Sequence, residues 1–263
     1  MTIDEQTLTD VAPELQLLPL GDTSWTLEFG KVIDPAVHAR VLGLAGALEK
    51  ARKEGANKEL SAIVDVVPTF RSLTVHYNPL ACDGERLGEA LALLAGSAGA
   101  ATQEGRRWRI PVCFDDDFAP DLDDLCQTKG MSRDAVIALM TEAVFQVYMI
   151  GFMPGFPYMG GLSAMLEMPR LASPRKAVPA RSLAVAGSMC SVYPWESPGG
   201  WRLLGRTPIP MFSLQTVDAP SLLASGDSVR WQSIDRATYS DMEVAVECGA
   251  FDRKRLLVGE EGN

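Results

Sequence analysis

Gly151–Leu162 reads GFMPGFPYMGGL: four glycines, two prolines, two phenylalanines and a tyrosine in twelve residues, with no charge. Rigid turn chemistry and flat apolar surface are thus concentrated in one short segment. That combination suits either a structural corner or a preformed ligand cleft, because proline and glycine fix loop shape before anything binds. The segment before it, VFQVYMI (Val144–Ile150), reads as a buried strand that delivers the chain into the corner. Regular periodicity fades after it. Short strands fit SLAVAG, TPIPMFSL and SVRWQSI, and the long intervening loops are the kind that carry function in a compact domain.

Working outward, residues 151–210 hold nine of the chain's 17 prolines and eight of its 23 glycines. They also hold six basic residues (Arg170, Arg175, Lys176, Arg181, Arg202, Arg206) against two acids, Glu167 and Glu196. The window is locally cationic within a chain of formal net charge −10. Guanidinium groups on stiff loops suit phosphate or carboxylate, since each offers a planar fork of donors. Tyr193, Trp195 and Trp201 add aromatic surface, and SPGGW (Ser197–Trp201) forms a tight turn whose Gly199 and Gly200 allow positive φ or close approach by a ligand.

Proton-transfer groups are scarce in this window. It has no histidine and no aspartate; the chain's two histidines, His38 and His76, fall in helix and strand patterns far upstream, where structural roles fit them best. No Ser-His-Asp set, H-E-x-x-H or phosphate-binding glycine-lysine loop occurs. Cys190 has no base near it in sequence and reads as an inert thiol. Glu142, Glu167 and Glu196 are the conceivable bases. The pattern is that of a component that shapes a ligand and is completed by another polypeptide.

The first hundred residues read as an α+β unit. LQLLPL, WTLEF, LSAIVDVV and SLTVHY have strand composition. Asp34-Pro35 starts a helix carrying Val37, Val41, Leu44 and Leu48 at helical spacing, and Glu85–Leu94 repeats the pattern. Two helices on one face of an antiparallel sheet satisfy this order. Residues 97–106 are small and polar and serve as a linker, dividing the chain into domains 1–98 and 107–263. In the second, WRIPVCF restarts the strands, Asp121 caps a short helix and Ser132 caps another over Arg133–Met140. The tail after Gly259 is expected to fray. The acidic balance argues against nucleic acid or an anionic membrane as partner. Five scattered cysteines give no metal or disulfide framework, and no apolar run spans a bilayer, so a reducing cytoplasm is the expected setting.

Three segments together, GFMPGFPYMGGL, PRLASPRKAVPARSLAVAG and VYPWESPGGWRLLGRTPIPMF, resemble the family of 5-oxoprolinase B subunits, which includes the kinase inhibitor KipI and the small subunit of proteins labelled allophanate hydrolase. One half of the urea carboxylase carboxyltransferase domain is similar. GDTSWTLEFG, VVPTFRSLTVHYNP and IPVCFDDDFAPDLDDL extend the resemblance over about residues 15–235. It implies an α+β N-terminal domain followed by a mainly-β cyclophilin-like barrel. It also implies a subunit-C partner with a related barrel, and a third protein, the subunit-A component. The complex so implied opens 5-oxoproline to glutamate at the expense of ATP, bound here or on a partner. The implied chain is inactive alone. Arg170, Arg175, Arg202 and Arg206 would take phosphate or substrate carboxylate, and Phe152, Pro154, Gly155, Phe156 and Tyr193 would shape the pocket, with Gly199 and Gly200 beside it. Related lactams or amides are alternative substrates. A KipI-like regulatory role toward a histidine kinase and an accessory role in a urea-type carboxyltransferase are the alternative functions. The chain departs from the family pattern at Met140 (commonly His), at Arg181 (commonly Gly) and at Met189, Cys190 and Ser191 (commonly Gln, Thr and Gly).

Overall fold

The computed structural model describes residues 15–55, 57–101, 105–216 and 219–259. The chain divides into two compact units, Met1–Gln103 and Glu104–Asn263.

In the first unit, β1 (Gln16–Pro19), β2 (Ser24–Glu28), α1 (Pro35–Glu54), β3 (Ile63–Pro68), β4 (Ser72–Tyr77) and α2 (Gly84–Ser97) follow one another, and the sheet order is β1-β2-β4-β3, antiparallel throughout. The Asp34 carboxylate accepts from the Ala36 and Val37 amides, and Pro35 occupies the first helical turn, where its missing N–H costs nothing. Gly55 ends α1 in the left-handed conformation at φ 63°, as KEGANK led one to expect. Val41, Leu44 and Leu48 of α1 and Leu87 and Leu91 of α2 meet Leu27, Leu73 and Val75 of the sheet in one core. On the other sheet face Thr26 and Thr74 bond hydroxyl to hydroxyl at 3.0 Å. The strand expected from Leu60 starts three residues later: Glu59–Ala62 is a 3-10 turn that buries Leu60 and Ala62.

The second unit runs β5 (Arg107–Cys113), α3 (Leu122–Lys129), α4 (Arg133–Glu142), β6 (Phe145–Ile150), β7 (Pro157–Gly160), β8 (Arg175–Val178), β9 (Ser182–Ala186), β10 (Met189–Val192), β11 (Ser197–Gly199), β12 (Arg202–Arg206), β13 (Ser228–Ile234) and α5 (Arg236–Glu247). Seven strands close a barrel in the order β10-β7-β6-β13-β5-β12-β9, and β8 and β11 form a separate two-stranded ribbon. All pairings in the barrel are antiparallel except β13 on β5, which is parallel over Ser228↔Arg107 to Ile234↔Cys113. Alternate residues of the strands, among them Ile110, Val147, Leu183, Val185, Cys190 and Trp231, fill one core together with Leu122 and Leu125 of α3 and Val136 and Met140 of α4. The expected helix start at Ser132 is present, its hydroxyl accepting from the Ala135 amide.

Three expectations are corrected here. Asp121 precedes α3, yet its side chain caps nothing; both carboxylate oxygens are engaged elsewhere. TPIPMFSL is a loop rather than a barrel strand, fastened by the Thr207 amide to the Arg181 carbonyl, by the Arg181 side chain to the Pro208 carbonyl and by an isolated bridge between Phe212 and Ser221, because Pro208 and Pro210 lack the donors a ladder needs. The short strands β7, β8, β10, β11 and β12 and the helix α5 went unread. The tail beyond Gly259 and residues 102–104 of the expected linker lie outside the described residues.

Candidate functional site

β9 is buried along its whole length because it has a core on each face. Leu183 and Val185 point into the barrel, whereas Ala184 and Ala186 join a second cluster with Phe156, Val178, Tyr193, Trp201 and Leu203. The two small alanines leave space for large rings outside the barrel wall. Phe156 is the hub. Its ring meets Tyr158, Tyr193 and Trp201 edge-on at 5.0, 5.2 and 5.9 Å, geometries that aromatic quadrupoles favour.

The corner at Gly151–Leu162 is shaped for this purpose. Gly155 adopts φ +78°, and a Cβ there would sit 2.7 Å from Phe212 Cβ. Phe152 also takes a left-handed conformation, φ 67°, although it is not glycine, and it projects into solvent at 68% exposure while its ring edge meets Phe156 at 5.5 Å. A strained, exposed aromatic residue is costly unless something uses it. The β8–β11 ribbon lies over the same cluster. Ser197 is opposite Val178, on the face that Val178 buries, and Arg175 is opposite Gly199, with a register shift between the two pairs. Gly199 must lack a side chain, since a Cβ there would collide with the Tyr193 hydroxyl. Gly200 carries no such constraint: a Cβ would find ordinary contacts at 3.7 Å.

The four arginines named from sequence do not form one ring of free donors. Arg175 donates to Asp121 Oδ1 at 2.7 Å, and the same carboxylate's Oδ2 accepts the Leu203 amide at 2.7 Å. Arg202 pairs with Asp124 one turn further along α3. Arg206 donates from Nε to the Ala180 carbonyl at 2.9 Å and lies over the Phe118 ring. Arg170 is exposed and stacks over Trp201 with its guanidinium carbon 5.8 Å from the ring centre. Arg170, Arg175 and Arg202 thus gather around Trp201 and α3, and Arg206 stands at the far end of β12. Among the described residues, Arg175 Nη1 and Ser197 Oγ are buried without a hydrogen-bond partner.

Burial pushes the Tyr193 and Tyr158 phenols above their ordinary range, with Arg170 opposing the shift in both. Both hydroxyls are therefore neutral at physiological pH and act as hydrogen-bonding groups rather than nucleophiles. Cys190 lies wholly buried inside the barrel, and burial pushes its thiol far up, so it is inert. Glu142, Glu167 and Glu196 are exposed, and His38 and His76 belong to the other unit, where His38 is buried and His76 Nδ1 bonds the Ser24 hydroxyl. Met140 is part of the barrel core and so lines no cleft. Arg181 holds φ 67° and donates to Glu243 of α5 at 2.5 Å and to the Pro208 carbonyl at 3.1 Å.

The family model for the carboxyltransferase domain, subdomain C and D, matches residues 15–223. The chain belongs to that family. Within this carboxyltransferase-domain family, the chain is similar to the 5-oxoprolinase B subunit of Bacillus subtilis strain 168, 34% identical over 238 residues that make up 85% of this chain and 95% of that protein. It is similar also to the 5-oxoprolinase B subunit of Escherichia coli O157:H7, 34% identical over 81% of this chain and 93% of that one. Among solved structures, TTHA0988 superposes with a TM-score of 0.69 at 34% identity, over 81% of this chain and 40% of the longer one. Kluyveromyces lactis urea carboxylase superposes with a TM-score of 0.75 at 18% identity, over 94% of this chain and 24% of that one, a likeness of fold. The family-model match ends at residue 223, ahead of β13 and α5.

Proposed function

We propose that this chain is one component of an ATP-dependent 5-oxoprolinase-type amidohydrolase, inactive alone, that works with a subunit-C partner carrying a related barrel and with a third, subunit-A protein. The similarity to proteins named as 5-oxoprolinase B subunits, over nearly their whole length, carries this reading. The barrel is read as cyclophilin-like, and the setting as cytoplasmic; among the described residues no helix is long and apolar enough to cross a membrane.

The residue inventory fits a part that positions rather than one that moves protons. A lactam carbonyl is a poor electrophile, and ATP would supply the activation of its oxygen. The residues here do not fit a triphosphate. Aspartates neutralise Arg175 and Arg202, Arg206 is held by a carbonyl, and Arg175 Nη1 offers one spare donor where several are needed. ATP is accordingly assigned to a partner protein. Arg170 remains as the guanidinium for a substrate carboxylate, Trp201 and Phe156 hold it and the neighbouring surface in place, and Phe152 presents an aromatic face to the partner or the substrate.

The test is reconstitution. Adding the purified chain to its subunit-C and subunit-A partners should raise 5-oxoproline-dependent phosphate release above that of the partners alone, and Arg170→Ala should raise KM for 5-oxoproline. No gain in turnover, or recovery of a histidine kinase in place of a carboxyltransferase-like partner, rejects the reading.

A further inference from the structure

The outer wall of the barrel at β5 and β13 carries charge of another kind. Trp108, Ile110 and Val112 of β5 and Val229 and Trp231 of β13 belong to the core. Strand alternation therefore turns Arg107, Arg109 and Pro111, and Arg230 and Gln232, outward. Arg109 and Arg230 are register partners in the parallel pairing. Like charges placed directly opposite one another destabilise a sheet unless an anion accompanies them. Among the described residues, Arg109, Arg230 and Arg255 form no ion pair.

α5 and the 3-10 turn Arg253–Leu256 stand beside this wall and border an open cavity of about 540 Å³. Arg109 and Arg255 line it beside Gln232 and Thr238, while Ile234, Met242, Phe251 and Leu256 form an apolar side. Asp241 is the one acid in the lining. A smaller recess of about 180 Å³ shares Arg109 with it and adds Arg107 and Arg230. Most of the lining comes from Gln232 onward, past the end of the family match at residue 223.

We propose that this cavity binds a small amphipathic anion: a phosphate or carboxylate head on an apolar body about the size of one aromatic ring. The volume lies within the range of small-molecule sites, and apolar walls with a few convergent polar groups are what such sites share. The head is placed between Arg109 and Arg255, where an oxyanion accepts charge-assisted bonds and relieves the repulsion with Arg230. The body rests on Met242 and Phe251, whose polarisable surfaces adapt to flat ligands. The site is independent of 5-oxoproline chemistry and stands or falls without it.

The experiment is calorimetric titration of the full chain with phenyl phosphate and, separately, with inorganic phosphate. Phenyl phosphate should bind at one site, at least about tenfold tighter than inorganic phosphate, and more weakly as salt rises. Arg109→Ala with Arg255→Ala should weaken phenyl phosphate at least about tenfold while leaving the melting temperature near that of the parent. Ala245→Trp, which fills the apolar side and keeps both arginines, should abolish the preference for the aromatic ester. Equal affinity for the two phosphates, or phenyl phosphate binding that the arginine pair does not affect, overturns the proposal. So does binding of an acidic peptide on this wall with no phenyl phosphate bound.

Discussion

The barrel unit has two populations of arginine, and they behave differently. Of the five in the proline- and glycine-rich stretch, Arg175, Arg181 and Arg202 each meet a carboxylate (Asp121, Glu243 and Asp124), while Arg206 is held by a carbonyl and Arg170 stacks on Trp201. Those on the β5–β13 wall and the C-terminal turn, Arg109, Arg230 and Arg255, meet none among the described residues. Local charge counted along the sequence pointed to the first population as the ligand-binding one. In three dimensions half of the six basic residues in that stretch are spent on ion pairs, Arg170 is left uncommitted there, and a second group of uncommitted arginines lies elsewhere. A guanidinium is available to a ligand only when the fold has not already supplied its counter-ion.

The difference can be tested by stability. Asp121→Ala should have the largest effect, because it leaves the Leu203 amide without an acceptor and Arg175 without its partner. We expect a loss of about 2–3 kcal/mol in urea unfolding, less than a fully buried pair would lose since the Arg175 side chain is 28% exposed. Arg181 comes next. Arg181→Ala removes the Glu243 contact and keeps a left-handed backbone that suits glycine, whereas Arg181→Gly removes the contact and relieves the backbone. The glycine variant should therefore be the more stable of the two by about 1 kcal/mol, read from paired denaturation curves. The smallest effect belongs to the second population: Arg109→Ala and Arg255→Ala should each change stability by no more than about 0.5 kcal/mol. A large loss at Arg109 would erase the distinction.

How much of this was legible in sequence follows from which interactions are local. Asp34-Pro35 and Ser132 announced their helices because a cap bonds to amides two or three residues away. Asp121 carried the same local signature and misled, since its partners, Arg175 and Leu203, are 54 and 82 residues distant. β9 was readable as an apolar run, but β7, β10 and β12 are four or five residues long, and β12 breaks register within its pairing. α5 had a signal that could have been used: Asp235 ahead of Thr238, then Tyr239, Met242 and Val246 at helical spacing. Of the pocket residues, Phe156 and Tyr193 proved to be buried and Phe152 exposed, a distinction that the chemistry of the residues alone does not contain. Even the glycines divide, Gly199 being fixed by Tyr193 and Gly200 not.

The parallel seam between β5 and β13 has a consequence for synthesis. The first strand of the barrel can meet β12 once residues 202–206 are made, but it gains its second neighbour only when residues 228–234 have left the ribosome. Until then the nascent sheet has two bare edges, while the amino-terminal unit, whose strands pair among themselves, is free to fold at once. A message truncated before β13 would yield an open, adhesive sheet that chaperones must shield, so the codons for residues 228–234 govern solubility as much as shape.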